Sequence, residues 1–272
     1  MKELRNKVAA ITGAASGIGQ MLAVNLAAKG CEVAISDVDM SGLEETAEMV
    51  EKQKGTVSIH KVDVADRSQV ENYAVEVVTQ HGRVDMIINN AGVAVAESIA
   101  DVKYEDFEWI MGINFWGVVY GCKAFLPYLK KQPESHVVNI SSVNGFVTWP
   151  NNGPYCASKF AVRGFTETLW QELRKTNVRV SCVHPGGIKT NIVRNARFYK
   201  SAGCKMSHAE CAKEFDKIAG TSAGKAADII VSGILKNKRR ILVGPDAYFI
   251  DGLTRLFPKG FVRFVAATVG RK

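Results

Sequence analysis

This sequence lacks long apolar runs and paired cysteine motifs. It has no stretch of about 18 consecutive apolar residues, so it predicts no membrane-spanning helix. The N-terminal MKELRNKVAAITG has an apolar part too short for a secretory signal, and it leads directly into a predicted strand. None of the six cysteines belongs to a C-x-x-C pair, which indicates reduced thiols and a cytoplasmic location.

Acidic residues are scarce at the C-terminal end, where most of the formal net charge of +8 is concentrated. The segment from Lys236 to Lys272 has nine Lys and Arg residues and two Asp residues. A basic end can contact an anionic membrane or an acidic ligand, and it can equally be a solvated tail or a subunit contact. No recognised nucleic-acid motif accompanies the charge, so we predict no nucleic-acid partner.

The 272 residues are 47% hydrophobic, as is usual for a globular protein. Continuous apolar runs such as VAAIT suit strands that are buried on both faces of a parallel sheet. The pattern predicts strands at 8–12, 32–37, 56–62, 84–89, 136–142, 178–187 and 239–244. It predicts helices at 17–29, 41–53, 67–81 and 107–130, with a break near Asn114, and another that carries Tyr155 and ends near Lys175.

This alternation predicts an α/β fold with a doubly wound, mostly parallel sheet of about seven strands and helices on both faces, a Rossmann-type architecture. We expect a single dinucleotide-binding catalytic domain over residues 1–245. It includes an irregular segment at about 189–221, polar and basic at first and then weakly helical, whose length is typical of a substrate lid. Residues 246–272 are predicted to be a basic amphipathic C-terminal extension.

A glycine-rich turn follows the first predicted strand. The run TGAASGIG, from Thr12 to Gly19, has glycines at positions 13, 17 and 19. Glycines let the backbone turn tightly and approach a pyrophosphate, which binds at the N-terminus of the next helix. The run therefore predicts a dinucleotide site that includes Ser16 and Ile18.

Asp37 ends the second predicted strand and can accept hydrogen bonds from both hydroxyls of an adenosine ribose. Its carboxylate would repel the 2′-phosphate of NADP(H), and neither Ser16 nor Val38 offers a compensating positive charge. We therefore predict NAD(H) as the cofactor. The alternative is that Asp37 caps the turn that follows it.

A tyrosine, a lysine and a serine have the spacing needed to surround one carbonyl group. In the run YCASK, Tyr155 and Lys159 lie one helical turn apart on the same face, and Ser142 lies thirteen positions upstream of the tyrosine. The lysine charge favours the tyrosinate and so lowers the phenol pKa from its ordinary value of about 10. A Tyr-x-x-x-Lys pair also occurs on ordinary helix surfaces, so the assignment depends on the other motifs.

Together the motifs resemble those of the short-chain dehydrogenase/reductase family. TGAASGIG, DVAD at 63–66, NNAG at 89–92, Asn114, Ser142, YCASK and HPGG at 184–187 occur in the family's order and spacing, across residues 7–244. The resemblance implies hydride transfer between NAD(H) and a secondary alcohol or ketone. It implies that Tyr155 is the general acid or base, that Lys159 lowers the pKa of Tyr155 and binds the nicotinamide ribose, and that Ser142 hydrogen-bonds the reacting oxygen. Asn114 would kink its helix and hold a water that links Lys159 to solvent.

The resemblance also extends the predicted cofactor site beyond the glycine-rich turn. It places Asp63 and Val64 near the adenine, Asn90 at the cleft, and Pro185 at the nicotinamide end. The complete predicted set is Gly13, Ser16, Gly17, Ile18, Gly19, Asp37, Asp63, Val64, Asn90, Ala91, Gly92, Tyr155, Lys159, Pro185, Gly186, Ile188 and Thr190.

Family members usually build one wall of the substrate pocket from the segment between the serine and the tyrosine. The predicted wall residues are Asn144, Phe146 and Trp149, and together with Val147 they favour a hydrophobic substrate such as a lipid, steroid, retinoid or aryl ketone. Ordinary core packing of two of the three apolar residues is the alternative. The predicted lid adds Ile192, Arg194, Arg197, Phe198, Tyr199, Met206 and Phe215.

Cys204, His208 and Cys211 have a spacing that zinc can use on a helix, but no fourth ligand is evident, so we predict no metal.

The C-terminal stretch from Tyr248 mixes apolar and basic residues, and Pro258 and Gly260 interrupt any continuous helix. A subunit contact or a pocket cover is the first interpretation, and the resemblance implies a homodimer or homotetramer. The second interpretation is peripheral membrane contact, with an apolar set near acyl chains and a basic pair near headgroups: Phe257, Phe261, Phe264 and Val265, with Lys259 and Arg263. The alternatives to an enzyme are a cofactor-binding sensor and a membrane-surface lipid-binding protein with the same fold.

Overall fold

A computed structural model describes residues 1, 3–199, 207–257, 260 and 263. The strands that these residues form are β1 (Val8–Thr12), β2 (Glu32–Asp37), β3 (Val57–Lys61), β4 (Met86–Asn89), β5 (Val95–Ala96), β6 (Ser135–Ile140), β7 (Val178–Pro185), β8 (Ile188–Lys189), β9 (Arg197–Phe198), β10 (Thr221–Ser222) and β11 (Arg240–Val243). The α-helices are α1 (Gly17–Ala27), α2 (Met40–Glu51), α3 (Arg67–His81), α4 (Tyr104–Met111), α5 (Gly117–Leu129), α6 (Gly153–Leu173), α7 (His208–Ile218), α8 (Ala223–Leu235) and α9 (Pro245–Leu256).

Seven parallel strands form the central sheet, in the order β11-β7-β6-β4-β1-β2-β3. The strand order reverses at β1, which lies between β2 and β4, with Ile11 in register with Ile35 and Ile88. Two-residue pairs, β8 with β10 and β5 with β9, lie outside this sheet. The predicted doubly wound parallel sheet is confirmed, and its carboxyl edge at the reversal is where ligands bind in such folds.

Alternate residues of the buried strand β1 face two helical layers. Ile11 packs in a core with Leu22 of α1 and Ile230 of α8, whereas Ala10 packs with Tyr73 of α3 and Phe125 of α5. Both faces of the strand are therefore covered, which explains why its sequence is continuously apolar rather than alternating.

Local signals account for several helix ends. The Asp66 carboxylate accepts hydrogen bonds from the N–H groups of Ser68 and Gln69 at the start of α3, at 2.8 and 3.3 Å. Gly82 ends that helix with φ of 72°, a left-handed conformation that suits glycine. The predicted bounds of α3 are confirmed. Both end signals, the Asp66 cap and Gly82, are local features of the sequence.

The predicted break near Asn114 is confirmed as a π-helical turn, Gly112–Trp116, between α4 and α5. Two helices, α8 and α9, were not predicted from the pattern. The predicted boundary between residues 245 and 246 is spanned by α9, which begins at Pro245. Among the described residues, no helix is long and apolar enough to cross a membrane.

Candidate active site

The glycine-rich turn joins β1 to α1 at the carboxyl edge of the sheet. Gly13 and Gly17 have φ of 66° and 59°, in the left-handed region that favours glycine. A Cβ on Gly13 would lie 2.6 Å from Cα of Ala91, so the turn packs directly on the NNAG segment. Asn90 Nδ2 donates to the carbonyls of Thr12 at 3.0 Å and Gly13 at 2.8 Å. Asn90 thus holds the turn in place as well as lying beside the predicted cleft.

The N-terminus of α1 has the features of an anion-binding site. Ser16 precedes it in an extended conformation, and within the described chain its hydroxyl caps none of the first-turn N–H groups. Those N–H groups are consequently available to a pyrophosphate, next to the half-buried Ile18. A Cβ on Gly19 would overlap the Gly13 carbonyl oxygen, and one on Gly17 would lie 3.2 Å from Thr190 Cγ2. This glycine-lined cradle fits the pyrophosphate of a dinucleotide.

Asp37 ends β2 beside this turn. Its Oδ2 accepts from Ala15 N at 3.2 Å, and its Oδ1 accepts from Val38 N at 2.8 Å and Asp39 N at 3.2 Å. The capping role considered above is therefore present, and the half-buried carboxylate is held at the edge where the ribose role would need it. On β3 the register partner of Asp37 is the exposed Lys61, a cation that the sequence argument overlooked.

Asp63 and Val64 follow β3 along the same edge. Asp63 is exposed, and its carboxylate accepts from Ala65 N at 2.9 Å. Val64 is buried, and a Cβ on Gly117 would lie 2.9 Å from its Cγ2. Val64 is largely occupied in packing against the start of α5, and contact of either residue with the adenine stays a prediction.

Ser142, Tyr155 and Lys159 come together between β6 and α6. The Ser142 hydroxyl lies near the Tyr155 phenol and acts to lower its pKa. Lys159 Nζ lies 5.7 Å from the centre of the Tyr155 ring and donates to the Ile140 carbonyl at 3.1 Å. Lys159 is only 3% exposed, so its charge is placed beside the phenol with little solvent screening.

Burial dominates the titration of this cluster. It raises the pKa of Tyr155 to about 12, while the neighbouring Ser142 hydroxyl acts in the opposite direction. Burial also lowers the pKa of Lys159 to about 8. The expected net lowering of the Tyr155 pKa by Lys159 is not what this structure shows, because both groups lose water and the ammonium is engaged with Ile140. At neutral pH Tyr155 is a proton donor beside a still-charged lysine.

Asn114 occupies the π-helical turn and is fully buried. Its Oδ1 accepts from Val93 N at 2.8 Å, and its Nδ2 donates to the Val93 carbonyl and to Ser158 Oγ, both at 3.0 Å. The side chain therefore ties α6 to the loop after β4. A Cβ on Gly92 would lie 3.3 Å from both Asn114 Oδ1 and Lys159 Nζ, so glycine permits this close packing. The water relay implied by the resemblance remains a prediction.

Comparison with known proteins decides the family. A family model described as short chain dehydrogenase matches residues 7–200. The chain belongs to the short-chain dehydrogenase/reductase family. It is accordingly an oxidoreductase, and the predicted family and fold are confirmed.

Similar proteins cover nearly the whole of this dehydrogenase/reductase. SadH of Mycobacterium tuberculosis, named as an oxidoreductase, is 42% identical over 274 residues, which cover 100% of this chain and 98% of SadH. A solved short-chain dehydrogenase/reductase from Burkholderia phymatum in complex with NAD has a TM-score of 0.85 at 29% identity, covering 94% and 95% of the two chains. An alcohol dehydrogenase from Thermococcus sibiricus, complexed with 5-hydroxy-NADP, has a TM-score of 0.74 at 26% identity, covering 87% and 95%.

The predicted substrate wall of this dehydrogenase/reductase packs against α9. Val147 is buried, and Phe146 and Trp149 pack around a small core formed with Ala247 of α9. The Phe146 ring lies 5.3 Å from the His184 ring in an edge-on contact. Asn144 N donates to Ser142 Oγ at 3.1 Å. The core-packing alternative thus describes much of this segment, and substrate contact by Phe146 or Trp149 stays a prediction.

Basic and aromatic residues of the predicted lid already have partners. Arg197 Nη1 donates to Asp106 at 2.7 Å, and its guanidinium lies 3.7 Å from the centre of the Trp109 ring. Arg194 forms an ion pair with Asp216 of α7. The Arg197 contacts attach the lid to α4, and the Arg194 ion pair joins two parts of the lid. Met206 lies outside the described residues.

His208 stacks on Phe198 at 4.8 Å and hydrogen-bonds the Val193 carbonyl at 2.6 Å. Over the described ranges, no group of three or more His, Cys, Asp or Glu side chains could hold a metal ion. Cys204, the first member of the possible zinc set, lies outside those ranges.

Two residues outside the predicted site set support the site. His184 Nδ1 hydrogen-bonds the Ser142 carbonyl at 3.0 Å, and burial lowers the pKa of His184 to about 4, so the imidazole is neutral. Asp246 Oδ2 accepts from Gly187 N at 2.6 Å. The HPGG motif already pointed to His184, whereas Asp246 lies 59 residues from its partner and carried no comparable signal.

The outer face of α9 exposes apolar side chains. Phe249 is 67% exposed, Leu256 74% and Phe257 60%. Of the residues predicted to contact a membrane, Arg263 is exposed, while Lys259, Phe261, Phe264 and Val265 lie outside the described residues.

Proposed function

We propose that this dehydrogenase/reductase transfers a hydride between NAD(H) and an apolar secondary alcohol or ketone, with Tyr155 as general acid or base. The supporting observation is that Ser142, Tyr155 and the buried Lys159 meet between β6 and α6, with Lys159 Nζ 5.7 Å from the centre of the Tyr155 ring. This cluster lies near NNAG, since Gly92 packs against Lys159, and NNAG in turn supports the glycine-rich cradle. Hydride chemistry needs these two features side by side.

The cradle and Asp37 are suited to hold NAD(H), and the Burkholderia phymatum neighbour is solved with NAD. When bound, the nicotinamide ring supplies or accepts the hydride. The protein's part is to orient the cofactor, to exclude water and to manage one proton.

Negative charge develops on the substrate oxygen during ketone reduction. Ser142 Oγ and Tyr155 Oη are the donors available to that oxygen, and the Tyr155 O–H bond breaks as its proton passes to the oxygen. The tyrosinate that remains is favoured by the Lys159 ammonium and regains a proton from solvent. Alcohol oxidation runs the same steps in reverse, with the tyrosinate as base. At neutral pH Tyr155 is protonated, the form that ketone reduction requires.

Replacing Tyr155 by Phe removes the transferable proton while keeping the ring. We expect turnover with a panel of apolar secondary alcohols and ketones to fall on the order of 10³-fold, measured by nicotinamide absorbance. NADH affinity should change less than about twofold, because the fold and the cradle are untouched.

Tyr128→Phe is the matched control, since Tyr128 lies on α5 and its ring contacts Lys131. It should keep normal turnover. Full turnover in Tyr155→Phe would contradict the proposed mechanism. Saturable NADH binding by the unchanged protein, with no turnover of any alcohol or ketone, would favour the cofactor-binding sensor instead.

Assembly and location belong to the same proposal. The exposed apolar side chains of α9, such as Phe249 and Leu256, offer surface for a subunit contact in a homodimer or homotetramer. The lipid-binding alternative would use this face together with the basic C-terminal residues. The cytoplasmic location stays a prediction, supported by the buried thiols of Cys31, Cys122, Cys156 and Cys182.

A further inference from the structure

Asp246 lies in the first turn of α9, against the Gly186–Gly187 turn that follows β7. We infer that Asp246 is a positioning residue that holds this turn in the shape needed for cofactor binding. The inference rests on the proposed function, in which this chain binds NAD(H), and on the family resemblance, which implies that the nicotinamide end lies beside Pro185 and Gly186. It also assigns part of the expected C-terminal extension to the active site.

The contact between the carboxylate and the turn is close. Asp246 Oδ2 accepts from Gly187 N at 2.6 Å, a charge-assisted hydrogen bond. A Cβ on Gly186 would overlap the Asp246 carboxylate. Gly186 is not among the glycines with positive φ in the described chain, so backbone conformation does not require glycine there. Position 186 needs glycine because the carboxylate occupies the space of a side chain.

Strand pairing brings Asp246 to this place. Val243 of β11 is in register with Pro185 of β7, and Gly186 N donates to the Val243 carbonyl at 2.9 Å. Gly244 then has φ of 100°, which turns the chain back over the end of β7. The pairing and the turn together carry the Asp246 carboxylate onto the next residues after β7.

The opposite side of the turn is closed by the end of the lid. A Cβ on Gly187 would lie 3.2 Å from Ala219 Cα, and Thr221 N donates to the Gly187 carbonyl at 3.4 Å. Ala247, next to Asp246, is fully buried against Val143 and Val147, which follow Ser142. Helix α9 therefore supports the serine loop and the glycine turn from one position.

Loss of the Asp246 carboxylate should mainly lower the affinity for the cofactor. Without its acceptor, Gly187 N is unpaired in the free protein, and the turn must be ordered when the cofactor binds. We expect Asp246→Ala to raise the dissociation constant of NADH about tenfold. At saturating cofactor, kcat should change less than about threefold, because Ser142, Tyr155 and Lys159 keep their own contacts.

A double-mutant cycle tests the contact directly. Gly186→Ala should raise the NADH dissociation constant about tenfold in the unchanged background, because the new methyl displaces the carboxylate. In the Asp246→Ala background the new methyl has space, so Gly186→Ala should raise the NADH dissociation constant less than about threefold. NADH fluorescence titration measures all four affinities. Hydrogen exchange at the Gly187 amide, without cofactor, should be faster in Asp246→Ala.

Two further variants separate positioning from helix stability. Asp246→Asn keeps an oxygen acceptor and should bind NADH within about threefold of the original protein. Asp251→Asn weakens the ion pairs of the same helix with Arg240 and Arg255, yet it should lower Tm without changing NADH affinity.

The outcomes distinguish failure of the positioning role of Asp246 from failure of the proposed function. Equal NADH affinity in Asp246→Ala and the original protein, or an additive cycle, would overturn the positioning role and leave the proposed function standing. An original protein that binds neither NADH nor NADPH would overturn the proposed function, and the positioning role with it. Weaker NADH binding in Asp251→Asn equal to that in Asp246→Ala would reduce Asp246 to a residue that merely stabilises its helix.

Discussion

Two glycine turns lie at the carboxyl edge of the sheet, and in each an aspartate from outside the turn accepts a backbone N–H; one aspartate ends β2 and the other lies in the first turn of α9. Asp37 accepts from Ala15 in the turn after β1, at 3.2 Å, and Asp246 accepts from Gly187 in the turn after β7, at 2.6 Å. The first turn needs glycine for its backbone: Gly13 has φ of 66° and lies against the main chain of Ala91. The second needs glycine at position 186 because the Asp246 carboxylate occupies the space where a Cβ would lie.

This difference explains why the turn after β1 can be predicted from the sequence and the turn after β7 cannot. Glycine spacing within eight residues predicts the left-handed conformations of the first turn and the helix that follows. No local pattern predicts that Asp246 fills the space beside Gly186. The two residues come together only because β11 pairs with β7. If this contrast is right, substitutions in the first turn cannot be rescued by a second change, whereas those in the second can.

The largest expected effect is that of Gly13→Ala. A positive φ and overlap with the Ala91 main chain should together cost roughly 3–5 kcal/mol of unfolding free energy, measured by urea denaturation. Asn90→Ala added to it should bring no recovery, since the obstructing atoms belong to the backbone.

The control is Gly164→Ala in α6, where a Cβ meets nothing within 4 Å. It should stabilise the protein by about 0.5–1 kcal/mol. Recovery of stability in the Gly13→Ala, Asn90→Ala double variant would end the distinction between the two turns.

The second effect is the contribution of His184, near the end of β7, to the dependence of stability on pH. Burial lowers the pKa of His184 from its ordinary 6.5 to about 4, so the unfolded chain takes up a proton first as pH falls. The contribution of His184 to stability is complete above pH 6.5, declines between 6.5 and 4, and amounts to roughly 3 kcal/mol.

His184→Asn should therefore flatten the dependence of unfolding free energy on pH, by about 1.4 kcal/mol per pH unit in that window. His136, whose pKa burial lowers to about 3, supplies a similar slope that the variant retains. Denaturation series at pH 4.5, 5.25 and 6 measure the difference. Parallel curves for the two proteins would show that His184 is not held neutral by the fold.

The smallest effect concerns the first aspartate. Asp37→Ala should raise relative affinity for NADPH over NADH about tenfold, because repulsion of the 2′-phosphate by the carboxylate is lost. Fluorescence titration with both cofactors measures the ratio. Asp39→Ala, which removes the carboxylate that accepts from Gly42 N at the start of α2, should lower stability and leave the ratio alone. An unchanged ratio in Asp37→Ala would leave Asp37 with its capping role only.

Periodicity and end signals explain which elements were predictable. Strands β1 and β2 and helix α3 have the predicted bounds, since their apolar runs, caps and glycines are local. Helix α8, AGKAADIIVSGIL, was missed although Lys225, Asp228 and Ser232 recur at helical spacing on its exposed face; its two glycines disfavour a helix. Helix α9 was missed because it crosses the apparent boundary at residue 245.

The sequence by itself determined the parallel α/β fold, the family, the glycine-rich cradle, and the candidates Ser142, Tyr155 and Lys159. Each of these depends on residue types at short or regular spacing, where backbone conformation and helix geometry act directly. Only the tertiary structure decided that Asp246 supports the second turn, that Arg197 is paired with Asp106, and that Phe146 packs toward α9. It also decided that burial raises the pKa of Tyr155. Those contacts join residues far apart in the chain, and desolvation depends on everything packed around a group, so neither is encoded at any single stretch of sequence.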